Sequence, residues 1–217
     1  MKKLILMIAY CLSAGIIFAQ TAVEFKNAGI EANKAKDYAK ALENFEKAMA
    51  VWGSEPADYA MITNSGICAF QLKDYDKAIK YFDQLIAGNY KPENAYGMKA
   101  LVYKVQKKDE EYLKVLNEAM AKFPENPKFK DDLSKYYQGA GVTQYNSGAT
   151  IMKGAVDKLN AKKYKDDKDP GYKAEVDKAK KEFSTAILSF TKALEFNPAD
   201  EKSKTLKATS ETQLKSL

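Results

Sequence analysis

The stretch Asp37–Ala50, DYAKALENFEKAMA, returns as DYDKAIKYFDQLIA at Asp74–Ala87 and again as EFSTAILSFTKALEFNP at Glu182–Pro198. A weaker copy, EEYLKVLNEAMAKFP, occupies Glu110–Pro124. Ala41, Phe45 and Ala48 stand four and three residues apart, the spacing that puts side chains on one face of a helix. Ala78, Phe82 and Leu85 repeat the pattern, as do Ala186, Phe190 and Ala193, and Tyr112, Leu116 and Ala119 offer a looser version. Small residues at such positions let a neighbouring helix approach, and the aromatic fills the gap beside it. Asp37, Asp74 and Asp109 stand where N-caps are wanted, and Asp169 followed by Pro170 is the matching signal for the last copy. Gly53 with Pro56, Gly88 with Pro92, Pro124 and Pro198 close the four helices.

Another helical segment precedes each of the first three copies. AVEFKNAGIEANKA carries Phe25, Ala28, Gly29 and Ala32; YAMITNSGICAFQL carries Ile62, Ser65, Gly66 and Ala69; ENAYGMKALVYKV carries Tyr96, Ala100 and Tyr103. Each unit therefore reads as helix, turn, helix. A segment that cannot bury its own apolar face alone can do so by stacking on copies of itself, which is the physical sense of such a period.

These units resemble tetratricopeptide repeats, helix pairs of about 34 residues with aromatic and small positions on the first helix and alanine, large residue, alanine and a closing proline on the second. Gly29 and Gly66 match the small position, Ala41 and Ala78 the first alanine, Phe45 and Phe82 the large residue, and Pro124 and Pro198 the final proline. The third repeat departs most, with Tyr112 in place of alanine. The resemblance implies an all-α, right-handed superhelical solenoid of about four stacked antiparallel helix pairs.

The last unit is irregular. Residues 129–160, FKDDLSKYYQGAGVTQYNSGATIMKGAVDKLN, keep helical spacing through Leu133, Tyr137, Ala140, Ile151, Ala155 and Leu159, although Gly139, Gly141, Gly148 and Gly154 each disfavour a helix by about 1 kcal/mol. The organisation read from the sequence is three helix pairs over 20–124, an extended fourth pair over 125–198 with long helices near 128–160 and 172–196, and a polar capping helix over 199–217. It resembles exported tetratricopeptide proteins with a lengthened last repeat.

The N-terminus reads MKKLILMIAYCLSAGIIFAQ. Two lysines, an apolar run of about 16 residues and a small residue before Gln20 are the layout of a secretory signal peptide cleaved after Ala19, and the run is short for a membrane span. Cleavage would remove Cys11 and leave Cys68 alone, so no internal disulfide is expected. The expected location is the periplasm or cell envelope.

Composition narrows the chemistry. The formal net charge is +6, there is no histidine, and all 35 cationic residues are lysine. Without arginine the chain lacks the usual residue for bidentate reading of bases and phosphates, so no nucleic acid is expected as a partner. Without histidine it lacks the commonest general base and metal ligand. No phosphate loop or dinucleotide fingerprint appears. No enzyme activity, cofactor or metal is expected, and Cys68 reads as a small buried hydrophobe.

The resemblance implies a concave face lined by the first helices. That face would carry Lys26, Ile30, Asn33 and Lys34, then Thr63, Ile67, Phe70 and Gln71, then Asn94, Leu101, Lys104 and Val105. Apolar anchors flanked by amides and lysines suit a peptide or a partner helix. The carboxylate-gripping clamp of some family members is matched only at Lys26 and Asn64, since Ile30, Asn94 and Met98 stand where other groups are wanted. The expected function is an exported scaffold that binds another protein or peptide. Two rival readings remain open. Tyr136, Tyr137, Tyr145, Tyr164 and Tyr172 could line a small-ligand pocket in the long helix pair, and lysine-rich 153–181 could dock peripherally on an anionic envelope surface.

Overall fold

The computed structural model describes residues 21–53 and 56–217, and the leader read from the sequence lies outside them. Every regular element among the described residues is a helix. The described part of α1 covers 21–34. There follow α2 (Tyr38–Ala50), α3 (Tyr59–Gln71), α4 (Tyr75–Ala87), α5 (Pro92–Val105), α6 (Asp109–Lys122), α7 (Pro127–Asn160), α8 (Pro170–Phe196) and α9 (Glu201–Ser216). The chain divides into two compact units, one up to Ala119 and one from Met120.

In the first unit consecutive helices pack on one another, and the repeat explains how. Gly29 faces Phe45, and Gly66 faces Phe82. A Cβ at either glycine would lie 2.7 or 2.6 Å from the ring. Both rings are buried, with Ala41, Ala48 and Ala78 beside them at 0 % exposure. The glycine is thus a seat for the ring of the second helix, and a methyl group there would collide with it.

The turns inside the pairs share one geometry. Lys36, Lys73 and Lys107 adopt left-handed φ values of 61°, 62° and 57°. The N–H of Lys36 donates to Asn33 O and that of Asp37 to Ala32 O; Lys73 and Asp74 repeat this on Phe70 O and Ala69 O, and Lys107 and Lys108 on Lys104 O and Tyr103 O. These paired bonds form the Schellman closure, which favours glycine at the left-handed residue. Asp37 and Asp74 then cap α2 and α4 by accepting the N–H of Lys40 and Lys77.

Two sequence expectations change here. Asp109 is the first residue of α6 and not its N-cap. The position after the left-handed lysine is taken by Lys108, and Asp109, Glu110 and Glu111 instead place three acids in the first turn, where the helix dipole favours them. Gly88 does close α4 as its C-cap, but with φ −78° and not in the left-handed conformation. Asn89 takes the left-handed conformation at 51°. Gly88 is small because a Cβ there would lie 2.4 Å from the Tyr59 ring, which stacks on Tyr90 at 5.1 Å.

The second unit is built on α7 and α8. Helix α7 runs unbroken through its four glycines. Gly141 seats Phe190 and Gly148 seats Phe183, with a Cβ 2.7 and 3.0 Å from the respective rings. From Gly141 to Gly148 to Ala155 is seven residues each time, and so is the return from Phe190 to Phe183 to Val176. A period of 3.5 keeps one seam facing its partner, as in an antiparallel coiled coil.

The numbering shows how this pair relates to the others. Gly29 to Lys36, Gly66 to Lys73 and Ala100 to Lys107 are each seven residues, whereas Gly141 to Lys162 is 21. Lys162 has the same left-handed φ, 57°, and the same closure, on Leu159 O and Lys158 O. The turn of an ordinary pair has been carried outward by two heptads. On the return, Lys162 to Phe190 is 28 residues against the 9 from Lys36 to Phe45, which is two heptads and five residues more. The surplus lengthens the turn.

Helix α9 lies against α8 through small residues, Ser203 and Ser210, both fully buried. Asp200 caps it and accepts from Ser203 N–H, Ser203 Oγ and Gln138 Nε2 of α7. Burial pushes the Asp200 carboxyl up, but these donors outweigh it and hold the group below its ordinary value. A depressed folded pKa means the carboxylate's stabilisation is complete above the unfolded value near 4 and is lost as pH falls through the folded one. Asp200→Asn is expected to cost about 1 kcal/mol at pH 7, and its difference from wild type should narrow in a thermal-unfolding series as pH falls below the unfolded value.

Candidate functional site

The face carried by α1, α3 and α5 holds the residues singled out in the sequence, and the structure divides them. Several serve the fold. Lys26 pairs with Asp58, the N-cap of α3, and its Nζ lies 5.7 Å from the Trp52 ring centroid. Burial raises the Asp58 carboxyl, but Lys26 and the N–H groups of α3 prevail and keep it below the usual range. Lys26 therefore ties α1 to α3. Ile30 and Phe70 are half-buried and pack on the core, Phe70 with its ring tilted against Tyr75 at 6.0 Å. Lys34 is held by Glu31 at 2.7 Å.

Asn33 Oδ1 faces the Cys68 thiol at 3.6 Å. Cys68 is fully buried, and burial pushes its pKa to about 11, so it stays a thiol at any physiological pH. It belongs to the core, as its helical setting in the sequence implies.

The remaining residues form the open part of the face. Leu101 and Val105, one turn apart on α5, are 46 % and 48 % exposed. Lys104 lies between them in sequence, its Nζ 5.5 Å from the Tyr112 ring centroid. Ile67 is half-buried and Gln71 exposed. Thr63 and Asn94 come together with Asn64 in a cleft of about 230 Å³. Tyr90, Lys91 and Met98 complete its wall. Thr63 Oγ1 donates to Tyr59 O, which leaves its oxygen able to accept from a ligand. Tyr90 and Lys91 are absent from the sequence-derived set because they sit in the turn before α5. Their signal was the stacking partner Tyr59, which no periodicity links to Tyr90.

The five tyrosines of the second unit do not converge. Tyr136 and Tyr137 meet edge to face, Tyr137 stacks on Phe196 at 6.2 Å, Tyr145 tilts against Phe183, and Tyr164 meets Tyr172. Only Tyr172 lines the cleft of about 420 Å³ where α8 approaches Leu217. Among the described residues no three His, Cys, Asp or Glu side chains are grouped to hold a metal ion, and no helix is long and apolar enough to cross a membrane.

Residues 32–102 match the model of a tetratricopeptide repeat family. No curated protein matches the chain in sequence. Among solved structures, a tetratricopeptide repeat protein of Bacteroides fragilis superposes with a TM-score of 0.51 at 24 % identity, over 88 % of this chain and 98 % of that one. A tetratricopeptide repeat protein of Parabacteroides merdae superposes with a TM-score of 0.50 at 16 % identity, over 90 % of this chain and 74 % of that one. At these identities the likeness carries the fold, and it adds to the Gly29–Phe45 and Gly66–Phe82 seats that lie in or beside the matched stretch. Residues 32–102 are thus a tetratricopeptide repeat stretch, and the chain shares the fold of solved tetratricopeptide repeat proteins.

Proposed function

We propose that the protein is an exported, non-enzymatic scaffold that holds a peptide or a partner helix on the α1–α3–α5 face. The observation that supports this reading is the exposure of Leu101 and Val105, 46 % and 48 %, on a helix whose Tyr96 and Val102 are buried. Two apolar side chains one turn apart, beside a cleft lined by amides, fit the apolar anchors and main-chain polar groups of a docked segment. The signal-peptide pattern of residues 1–19 supports a role in the cell envelope.

The test follows from the exposures. Ile67 and Phe70 are poor probes, because Phe70 supports the core, whereas Leu101→Asp with Val105→Asp leaves the fold nearly untouched. Residues 20–217 of wild type and of this double variant are used to capture proteins from the envelope fraction. A stoichiometric partner whose affinity falls about a hundredfold in the variant is the expected result, from lost apolar burial and two buried charges. A partner retained equally by both would exclude this face.

A further inference from the structure

The lengthened hairpin carries the protein's charge. Residues 153–181 hold ten lysines and six acids, while the rest of the chain from Gln20 onward holds 23 lysines and 23 acids. The whole positive excess, +4, therefore sits in the part of α7 and α8 that the two extra heptads have added, together with its turn. Every lysine of this stretch except Lys180 is exposed. The acids are the more engaged partners. Asp166 accepts from Lys168 N–H, Asp169 from Lys165 and Gly171 N–H, and Glu175 from Lys158 Nζ. Their charges remain, but they are drawn onto the backbone and one neighbour, while Lys162, Lys163, Lys165 and Lys168 project from the turn.

The form of this charge selects its partner. A groove is what tracks an extended polyanion, and the lysines here ring the end of a helical hairpin. Lysine offers a compact, hydrated point charge and no planar fork for reading a particular phosphate. Such an array responds to the averaged potential of a negatively charged plane, each lysine near the surface being worth about fivefold in binding. Tyr164 and Tyr172 meet edge to face at the same end, 6.1 Å between centroids, and tyrosine is a residue favoured where hydrocarbon meets water.

We infer that the end of the α7–α8 hairpin is an electrostatic docking arm for an anionic lipid bilayer surface. It shares no residue with the α1–α3–α5 face, so the two can be tested by separate substitutions.

The test uses residues 20–217, which contain every described residue, and sedimentation with vesicles of phosphatidylcholine alone or with about 30 per cent phosphatidylglycerol. Binding is expected only to the anionic vesicles, and it should fall steeply as ionic strength rises from about 0.05 to 0.5 M, because the Debye length shrinks severalfold. Lys162→Glu with Lys163→Glu and Lys165→Glu should weaken binding by at least about a hundredfold. Leu101→Asp with Val105→Asp should leave it unchanged, which separates this arm from the scaffold face. An unaltered thermal transition in the triple variant secures the comparison, and Lys173→Glu with Lys178→Glu and Lys181→Glu on α8 provides a second set should the turn fail to fold. Equal binding to neutral vesicles, indifference to salt, or full retention by both charge-reversed variants would overturn the inference. Affinity for soluble polyphosphate matching that for vesicles of equal phosphate content would likewise overturn the bilayer as the occupant.

Discussion

Phe190→Ala is expected to lower stability by about 3–5 kcal/mol, as for other fully buried phenylalanines. The ring is 0 % exposed and rests on Gly141 where a Cβ would stand 2.7 Å away. Removing it leaves a cavity that α7 cannot collapse into without breaking the Gly148–Phe183 seat beyond. The converse change, Gly141→Ala, should cost about 1–3 kcal/mol by overpacking. The two sites touch, so their effects will not add: Gly141→Ala with Phe190→Leu should be more stable than the sum of its single changes implies. Urea unfolding with hydrogen exchange across α7 and α8 reads all three. A loss under about 1 kcal/mol for Phe190→Ala would contradict the seat as the principal tie of the second unit.

Replacing Lys36, Lys73 and Lys107 together by glycine is expected to stabilise the protein by about 1.5–3 kcal/mol. A side-chain-bearing residue in the left-handed region costs roughly 1–2 kcal/mol, and glycine removes that cost while adding about 0.4–1 kcal/mol of unfolded-chain entropy. All three have φ near 60° and the paired closing bonds that glycine makes with least strain. The urea midpoint should rise with an unchanged slope. Lys162→Gly should add about a third of that, about 0.5–1 kcal/mol, in the second unit. A fall in the midpoint would mean that the lysine stems cover enough apolar surface to offset their strain.

The fold class was legible because a repeat states the same packing rule several times. Phe45 and Phe82 stand at matched positions, Gly29 and Gly66 likewise, and a helix period with a small residue opposite a ring leaves one way of stacking. The sequence was less informative where two roles share one residue type. Gly88 looked like a helix stop, and only the Tyr59 ring shows that it is a contact. Asp109 looked like a cap, but Lys108 holds the position that Asp37 and Asp74 hold elsewhere, and Asp109 falls in the first turn. The glycines of α7 showed their helix cost locally, while the compensating rings Phe190 and Phe183 lie 49 and 35 residues downstream.

The candidate site was less visible still. The resemblance implies a face carrying Lys26, Ile30, Ile67, Phe70 and Leu101, but it does not say which of them the fold already uses. Asp58 claims Lys26 and the core claims most of Phe70, whereas Leu101 stays open. Those distinctions depend on contacts between helices, which one sequence does not contain.

The heptad register of α7 and α8 makes the reach of the hairpin adjustable in fixed increments. Removing seven residues from each helix, within the stretch between the Gly141–Phe190 seat and the turn, would bring the next small residue opposite the next large one and leave the base as it is. The lysine-bearing end would retract by about 10.5 Å at 1.5 Å per residue, and adding a heptad to each would extend it equally. A loss that is not a whole number of heptads would swing the seam away from its partner. The hairpin is built as a telescoping spacer, and changes in its length would carry the charged end to discrete distances from the Gly141–Phe190 seat.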